Sequence, residues 1–304
     1  MANVLGNVIK KGKGAAGAVE LFIDGVKTTD YTKVELDSYV GDFESASTLP
    51  YNFYQGAAVI YNNEIHIIGG FSYKKAHYKW DGTSWTSVST LPYEFYRGAA
   101  VVYNNEIHLL GGEGGKKSHY KWDGNSWTSV STLPYNFYFG AAVVYNNAIH
   151  LLGGDSNNSG YKFHYKWDGT SWTSVSTLPY DFRFGEAVVY NNEIHILGGY
   201  YDDEHYKWSG GTWTSVSTLP YNFMSGEAVV YNDEIHILGG SGTNRVYRKW
   251  DGTSWTSSTS LPYDFYQGAA VVYKNGIHIL GSGSSSSVYR YHYKSELKYD
   301  VNLS

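Results

Sequence analysis

Three charged residues stand where this sequence could carry out acid–base chemistry. Glu186 and Glu227 occupy the same position in two successive copies of a repeated segment, and Arg183 precedes the first of them by three residues. Two carboxyl groups in a cleft can act as general acid and general base, for example on a sugar. One hypothesis is therefore a sugar-modifying enzyme (an epimerase, a mutarotase or a glycosidase) that uses these three residues. The alternative is that the two glutamates are solvated groups at the rim of a pore, or are paired with Arg183.

The eleven histidines form a second candidate set. One group recurs at a single place in all six copies: His66, His108, His150, His195, His236 and His278. A second group recurs in four copies: His77, His119, His164 and His205. A residue repeated in every copy predicts a structural hydrogen bond between neighbouring units, because six-fold repetition would spread metal ligands around the molecule. We predict no metal site and no cofactor, and the absence of cysteine excludes disulfides and thiolate chemistry.

These residues lie within a repeat that organises most of the chain. The tripeptide Leu-Pro-Tyr recurs every 41 to 45 residues, and a glycine follows each of its leucines by 20 residues. The six tripeptides begin at Leu49, Leu91, Leu133, Leu178, Leu219 and Leu261. Of the 304 residues, 31 are tyrosine, 10 are tryptophan and 35 are glycine. Aromatic residues favour strands and glycine favours turns, so the composition indicates a β protein.

Each copy predicts four strands. In the second copy, Gly98–Tyr103 is a short apolar run typical of a buried innermost strand, and an Asn-Asn turn leads from it into Glu106–Leu110. A third strand over His119–Trp122 and an outer strand over Trp127–Thr132 are joined by an Asp-Gly hairpin turn. Units of about forty residues with four strands are typical of propeller blades. The sequence therefore predicts an all-β fold, a six-bladed β-propeller with four-stranded antiparallel blades.

The spacing within a copy resembles the kelch repeat. That repeat has a double glycine after an apolar strand, then a tyrosine, six residues and a tryptophan. Gly69-Gly70 with Tyr78 and Trp85 follows this pattern, and three further copies keep it. The fifth copy has Arg248 at the tyrosine position, and the sixth lacks the tryptophan. The resemblance covers about residues 42–294 and implies a kelch-like propeller, although a shared fold implies no function.

The sequence also predicts how the ring closes. Six innermost segments are followed by only five tryptophan-bearing outer strands. Phe43 stands six residues before Leu49, as Trp85 does before Leu91, so we expect an N-terminal strand, Phe43–Thr48, to complete the last blade. The predicted domains are the propeller, 42–304, and an N-terminal attachment or flexible segment, 1–41. The tail 296–304 either competes for the closing position or adds a strand.

Charge and hydropathy exclude several classes of partner. The formal net charge is −5, so no basic excess indicates a nucleic-acid partner. No apolar run approaches the roughly 18 residues of a membrane helix. Lysines at positions 10, 11 and 13 interrupt the only candidate for a signal peptide. We expect a soluble protein without membrane insertion, either cytoplasmic or associated with a virion.

Differences among the six copies fall in two zones, the loop after the double glycine and the residues after Leu-Pro-Tyr. In a four-stranded meander both zones emerge on the same face of the disc, and loops on a rigid scaffold are where binding is usually placed. The predicted ligand-binding residues are Tyr54, Gln55, Tyr96, Arg97, Tyr138, Phe139, Arg183, Phe184, Met224, Tyr266, Gln267, Tyr200 and Tyr201.

The chemistry of these two zones favours recognition over catalysis. Tyrosine, phenylalanine and arginine side chains suit stacking on sugars or anchoring a protein surface. Our leading hypothesis is a module that binds a cell-surface glycan or a cell-surface protein through this face. Copies that differ on one face resemble fast-evolving adhesive proteins, and Ala2–Tyr39 is similar to the leading segments of phage and prophage structural proteins. That similarity implies a phage tail or receptor-binding role, with residues 1–41 joining a larger virion or surface assembly. An intracellular kelch scaffold is a third alternative.

Overall fold

The computed structural model describes residues 21–23, 26–28, 34–114, 116–156, 159–200, 202–240, 245–283 and 288–303. Within these ranges every regular element is a β-strand. In this part of the chain no helix is long and apolar enough to cross a membrane. The strands before the first repeat are β1 (Leu21–Ile23), β2 (Val26–Thr28), β3 (Val34–Val40) and β4 (Glu44–Thr48).

The first three blades follow in chain order, and each is an antiparallel sheet. Blade 1 consists of β5 (Ala57–Tyr61), β6 (Glu64–Ile68), β7 (Ala76–Trp80) and β8 (Trp85–Thr90). Blade 2 consists of β9 (Ala99–Tyr103), β10 (Glu106–Leu110), β11 (Ser118–Trp122) and β12 (Trp127–Thr132). Blade 3 consists of β13 (Ala141–Tyr145), β14 (Ala148–Leu152), the short β15 (Asp155–Ser156), β16 (Ser159–Trp167) and β17 (Trp172–Phe182).

The remaining blades complete the ring. Blade 4 consists of β18 (Glu186–Tyr190), β19 (Glu193–Gly199), β20 (Asp202–Trp208) and β21 (Thr214–Thr218). Blade 5 consists of β22 (Glu227–Tyr231), β23 (Glu234–Leu238), β24 (Tyr247–Trp250) and β25 (Trp255–Ser257). Blade 6 contains β26 (Ala269–Tyr273), β27 (Gly276–Gly283), β28 (Val288–Leu303) and β4. The first strands of successive blades contact one another around the ring, and β26 contacts β5. The predicted six-bladed β-propeller is confirmed.

The closing strand is the one that the sequence predicts. β4 pairs antiparallel with β28, with Thr48 opposite Tyr291 and Glu44 opposite Lys294. By contact density the chain divides into two compact units, Phe43–Lys294 and a second unit that combines Met1–Asp42 with Ser295–Ser304. In that second unit the end of β28 pairs with β3, from Leu297 opposite Val40 to Leu303 opposite Val34.

Turn chemistry fixes the register of each blade. Asn62 and Asn63 have φ of 48° and 60°, the left-handed pair that a two-residue hairpin requires. Asp81 accepts the backbone N–H groups of Thr83 and Ser84 at 2.7 and 2.9 Å, which confirms its predicted role in the outer hairpin turn. Gly69 has φ of 63°, and a Cβ atom there would lie 2.2 Å from the carbonyl oxygen of Phe95. Only glycine fits this position, where the chain leaves the second strand.

The core lies between neighbouring blades. Val59 and Ile68 of blade 1 pack in one cluster with Ile107 and Trp122 of blade 2 and with Phe95 from the segment that joins the two blades. The second strands are buried along nearly their whole length because sheets cover both of their faces. Each blade therefore contributes half of two adjacent cores, and removing one blade would expose both.

The histidines form hydrogen-bonded chains within the blades. In blade 1, His66 Nδ1 is 2.8 Å from His77 Nε2, and His77 Nδ1 is 2.9 Å from Ser89 Oγ. Trp127 of blade 2 donates its indole N–H to Ser89 Oγ at 3.0 Å. The histidines are structural, as expected, but the expected partner is wrong. They pair with each other inside one blade, and the serine–tryptophan contact makes the link to the next.

The contact between blades 5 and 6 differs from the serine–tryptophan contacts between the other blades. In blade 5, Tyr247 replaces the second histidine, and its hydroxyl is 2.6 Å from His236 Nδ1. In blade 6, Phe43 stands where the other blades carry tryptophan, and its ring meets that of Tyr247 edge-on with centroids 6.0 Å apart. Phenylalanine has no N–H, so this junction needs no serine acceptor. The two departures from the repeat therefore meet at one interface.

Candidate functional site

Two sets of loops share one face of the ring, which we call the variable-loop face. It comprises the loops after the double glycines and the segments after Leu-Pro-Tyr. Backbone bonds join the two sets: Glu113 N–H donates to Tyr96 O, and Asp155 N–H donates to Tyr138 O, both at 2.9 Å. The Asn-Asn turns lie at the other ends of the same strands. The two variable zones therefore meet on one face, as predicted.

A closed ring of six backbone hydrogen bonds frames the central channel on this face. Each member lies six residues after the leucine of Leu-Pro-Tyr and donates its N–H to the equivalent residue of the preceding blade, at 2.7–2.9 Å. The members are Gln55, Arg97, Phe139, Phe184, Ser225 and Gln267. All six have φ between 55° and 62°, a left-handed conformation that is unfavourable for residues with side chains. The bonds hold that conformation, so six side chains of four different types are fixed around one channel mouth.

The channel mouth has a polar and an aromatic part. Arg97 Nε donates to Gln55 Oε1 at 3.0 Å, and Gln55 Nε2 donates to Gln267 Oε1 at 2.8 Å. Further around the ring, the rings of Phe139 and Phe184 lie 3.9 Å apart. The Arg97 guanidinium joins the two parts, because it also stacks over Phe139 at 4.7 Å. The mouth is thus a connected set of side chains with defined contacts.

Glu186 and Glu227 begin the innermost strands of blades 4 and 5, where the other four blades have alanine. They line a compartment of about 90 Å³ at the channel mouth. Desolvation raises the pKa of Glu186, and desolvation followed by repulsion from Glu186 raises the pKa of Glu227 well above its usual value. Two carboxyl groups so placed retain a proton that exposed ones would lose. Across the described residues, no group of three or more His, Asp or Glu is arranged to hold a metal ion.

Arg183 lies apart from this pair. Its Nη1 is 3.0 Å from Asp155 Oδ2, and its guanidinium stacks over the ring of Tyr200 at 4.1 Å. Arg183 is not among the residues that line the compartment of Glu186 and Glu227. The structure therefore brings the two predicted carboxyl groups together but directs the arginine to a different place.

That place is a cleft of about 580 Å³ beside the channel mouth, which we call the blade 2–4 cleft. Two ion pairs supply its charges, Arg97 with Glu113 at 2.6 Å and Arg183 with Asp155 at 3.0 Å. Its aromatic surface comes from Tyr138, Phe139, Phe184 and Tyr200. Concave sites of about 300–1,000 Å³ that combine rings with a few polar groups are typical of small-ligand binding.

The predicted binding residues fall into several environments. Six of them line the blade 2–4 cleft: Arg97, Tyr138, Phe139, Arg183, Phe184 and Tyr200. Gln55 and Gln267 line the channel mouth. Tyr54 and Tyr96 are buried, and both pack against the exposed ring of Phe71 with centroids 5.5 Å apart. Met224 and Tyr266 are half-buried outside the cleft, and Tyr201 lies outside the described residues.

Sequence reasoning missed two acidic residues of the cleft, Glu113 and Asp155. Each directly follows a double glycine, and the same position carries Phe71 in blade 1 and Tyr200 in blade 4. The variation at this one position among otherwise similar copies is the signal that could have found them. The prediction includes only Tyr200 from that position.

Fold and site together define a class of protein, a six-bladed β-propeller with one interior repeated around the ring and one face that differs from blade to blade. The solved structure of YjhT is similar to this chain, with a TM-score of 0.71 and 16% sequence identity over 83% of this chain and 98% of that chain. At this identity the similarity concerns the fold alone. No family model matches the sequence, and no curated protein matches it. Membership of the kelch family therefore stays a prediction.

Proposed function

We propose that this chain is a recognition module that binds a glycan in the blade 2–4 cleft of its variable-loop face. The observation that carries the proposal is the cleft itself, about 580 Å³ lined by aromatic rings and by arginine–carboxylate pairs. Rings offer apolar faces to pyranose C–H groups, and charged groups form the stronger hydrogen bonds with hydroxyls. The residues of the cleft belong to loops that differ between blades, while the scaffold beneath them repeats.

The shape of the site favours a saccharide over a folded protein as the partner. Stable protein interfaces bury roughly 800 Å² on each partner. The cleft is concave and confined to blades 2 to 4, which suits a few sugar units. Binding of a protein partner that survives loss of the cleft side chains would point to the other candidate named from the sequence.

Glycan binding can be tested with two matched tyrosine variants. Tyr200 and Tyr73 are exposed tyrosines, at 42% and 56%, and only Tyr200 lines the cleft. A glycan array is probed with the wild type, with Tyr200→Ser and with Tyr73→Ser. We expect the wild-type pattern to persist in Tyr73→Ser and to weaken by about two- to tenfold or more in Tyr200→Ser, since a stacking pair contributes about 0.5–1.5 kcal/mol beyond the area it buries. Absence of any glycan signal, or equal binding by all three proteins, would contradict the proposal.

Catalysis at Glu186 and Glu227 is a second candidate, supported by the raised pKa values of two carboxyl groups in neighbouring strands. Two observations weigh against it. Their compartment of about 90 Å³ is smaller than the usual range of ligand sites, and Arg183 is paired with Asp155 instead. Epimerisation, mutarotation or hydrolysis of a sugar that disappears in Glu186→Gln and persists in Tyr200→Ser would favour the enzyme.

The setting proposed for this module is a phage tail or another surface assembly, joined through residues 1–41. This part of the proposal rests on the similarity of Ala2–Tyr39 to phage structural proteins. Co-purification of a structural protein of the virion with the full chain, but not with a chain that lacks residues 1–41, is the expected result.

A further inference from the structure

The blade 2–4 cleft is lined by a buried ion pair, Arg183 with Asp155, that no other blade repeats among the described residues. The side chains of Arg183 and Asp155 are only 12% and 4% exposed. In the other blades the position of Arg183 carries tyrosine or methionine, and the position of Asp155 carries Phe71, Glu113, Tyr200, Ser241 or Gly283. A buried ion pair is weak evidence for stability, because desolvating two charges offsets much of their attraction. This pair is therefore better explained by what it offers to a ligand.

One carboxylate oxygen of Asp155 is an acceptor that lacks a donor. Its Oδ2 is held by Arg183, whereas its Oδ1 is buried and has no hydrogen-bond partner in the described part of the chain. A buried acceptor without a donor is unfavourable, and native structures usually satisfy such atoms. The carboxylate needs a donor such as a hydroxyl or an amide N–H. An anionic group of a ligand would bring further acceptors, which is the opposite of what Asp155 lacks.

The charges that line the cleft are balanced, with two arginines and two carboxylates. Each arginine that lines it is already paired with a carboxylate, Arg97 with Glu113 and Arg183 with Asp155. A negatively charged sugar would therefore have to displace a carboxylate from its arginine and approach other carboxylates. A neutral sugar meets neither obstacle.

We infer that the cleft selects neutral, hydroxyl-rich saccharides over acidic ones, with the Asp155 carboxylate as the hydrogen-bond acceptor for a sugar hydroxyl. The rings of Phe184 and Tyr200 supply the apolar surface beside that acceptor, with centroids 5.9 Å apart. The inference rests on the proposed glycan-binding function and specifies its ligand class. Asp155 determines specificity because it both accepts from the ligand and neutralises Arg183.

The test compares neutral oligosaccharides with the same oligosaccharides carrying a terminal carboxylate or sulfate, by calorimetric titration of the full chain. For the wild type we expect the neutral member of each pair to bind at least about tenfold more tightly. In Asp155→Asn one carboxylate oxygen is replaced by an amide NH2 group, which donates rather than accepts, and Arg183 is left without its counter-charge. Binding of neutral sugars should then fall about tenfold, and binding of acidic sugars should rise above its wild-type value.

Two further variants keep this test independent of folding and of net charge. Glu94→Gln changes the charge by the same amount at an exposed residue outside the cleft lining, so the preference should be unchanged. The double variant Asp155→Asn, Arg183→Gln removes both charges, so its affinity for acidic sugars should not exceed that of the wild type. Denaturation of each variant establishes that it is folded.

The possible outcomes separate this inference from the function on which it rests. Equal or tighter binding of acidic glycans by the wild type would overturn the inference and leave glycan binding intact. If Asp155→Asn does not bind acidic saccharides more tightly than the wild type does, the charge mechanism is overturned. Absence of binding to every saccharide would overturn the proposed function and the inference with it.

Discussion

The interior of the blades and the variable-loop face follow opposite patterns. In the interior, the distance between the paired histidines is 2.8 Å in blade 1, in blade 2 and again in blade 4. On the variable-loop face, equivalent positions carry Arg183, Tyr54 or Met224. Tyr54 packs against the ring of Phe71, whereas Arg183 stacks over Tyr200 and also pairs with Asp155. The interior therefore repeats the same side-chain hydrogen bonds from blade to blade, whereas the variable-loop face repeats only its backbone hydrogen bonds.

This difference shows how one chain can keep a stable ring and still vary its surface. The ring of bonds at the channel mouth uses only N–H and C=O groups, so it forms whichever side chains are present. The interior chains use specific side chains, and histidine, serine and tryptophan recur in them except where blades 5 and 6 meet, where Tyr247 and Phe43 take the places of a histidine and a tryptophan. Changes to the interior should alter stability, and changes to the face should alter binding.

Acidification should lower the free energy of unfolding through the interior histidines, and it is the largest effect that we expect. Burial lowers the pKa of His66 to about 4 and of His119 to about 3, from 6.5 in the unfolded chain, and eight more histidines behave alike. The unfolded state binds more protons in this window, so stability is full above about pH 6.5 and falls as the pH drops towards 3. At about 1.4 kcal/mol per histidine and pH unit, the loss can exceed the roughly 5–15 kcal/mol that holds a domain together.

Urea denaturation, followed by tryptophan fluorescence at a series of pH values, measures this loss. A free energy of unfolding that stays constant from about pH 7 to about pH 5 would show that the histidine chains are protonated without penalty.

Removing one hydroxyl from an interior chain is a second change that should lower stability. Ser131 Oγ accepts the indole N–H of Trp172 at 3.1 Å and lies 2.8 Å from His119 Nδ1. Ser131→Ala leaves these groups without a partner, and we expect the free energy of unfolding to fall by about 1–3 kcal/mol. Ser129→Ala changes an exposed serine of the same strand and should stay within about 0.5 kcal/mol of the wild type. Equal losses in both variants would refute the role given to the chain.

The two channel glutamates provide a change on the face that should raise stability. Their pKa values are raised in the folded chain, so the folded state holds protons that the unfolded state releases above about pH 4.5. Stability from this source is present at low pH and is lost as the pH rises. The double variant Glu186→Gln, Glu227→Gln should therefore be more stable than the wild type at about pH 8, by about 1.4 kcal/mol for each pKa unit.

The gain should shrink as the pH approaches about 4.5, where the wild-type carboxyl groups are protonated in both states. Denaturation midpoints at the two pH values provide the measurement. A variant that is less stable than the wild type at about pH 8 would indicate that the glutamates make stabilising contacts.

The smallest expected effect on stability concerns the cleft. Tyr200 is 42% exposed and directly follows Gly199. Tyr200→Ser should lower the free energy of unfolding by less than about 1 kcal/mol, because it removes the stacking of a partly exposed ring on Arg183. Thermal denaturation of the variant beside the wild type checks this, and a loss above about 1 kcal/mol would mean that the face contributes to the fold after all.

Much of this architecture could be predicted because its determinants are local. The Asn-Asn turns, the double glycines and the alternation within strands specify each blade from a few neighbouring residues. The missing tryptophan of the sixth copy was enough to predict that β4 closes the ring. The histidine chains could be recognised as structural from their repetition, but their partners could not, because Ser89 and Trp127 belong to different blades and meet only when the blades pack.

The sequence by itself therefore determined the number of blades, the strands within them, the closing strand and the face on which variation collects. Only the tertiary structure decided which of the varying residues meet. Arg183 pairs with Asp155 of the preceding blade, 28 residues away, while Glu186 and Glu227 share the channel mouth without it. The physical reason is that the repeat fixes only the positions of the backbone. Side-chain partners on the variable-loop face depend on the left-handed loop residues and on ring closure, because these bring residues of different blades within hydrogen-bonding distance.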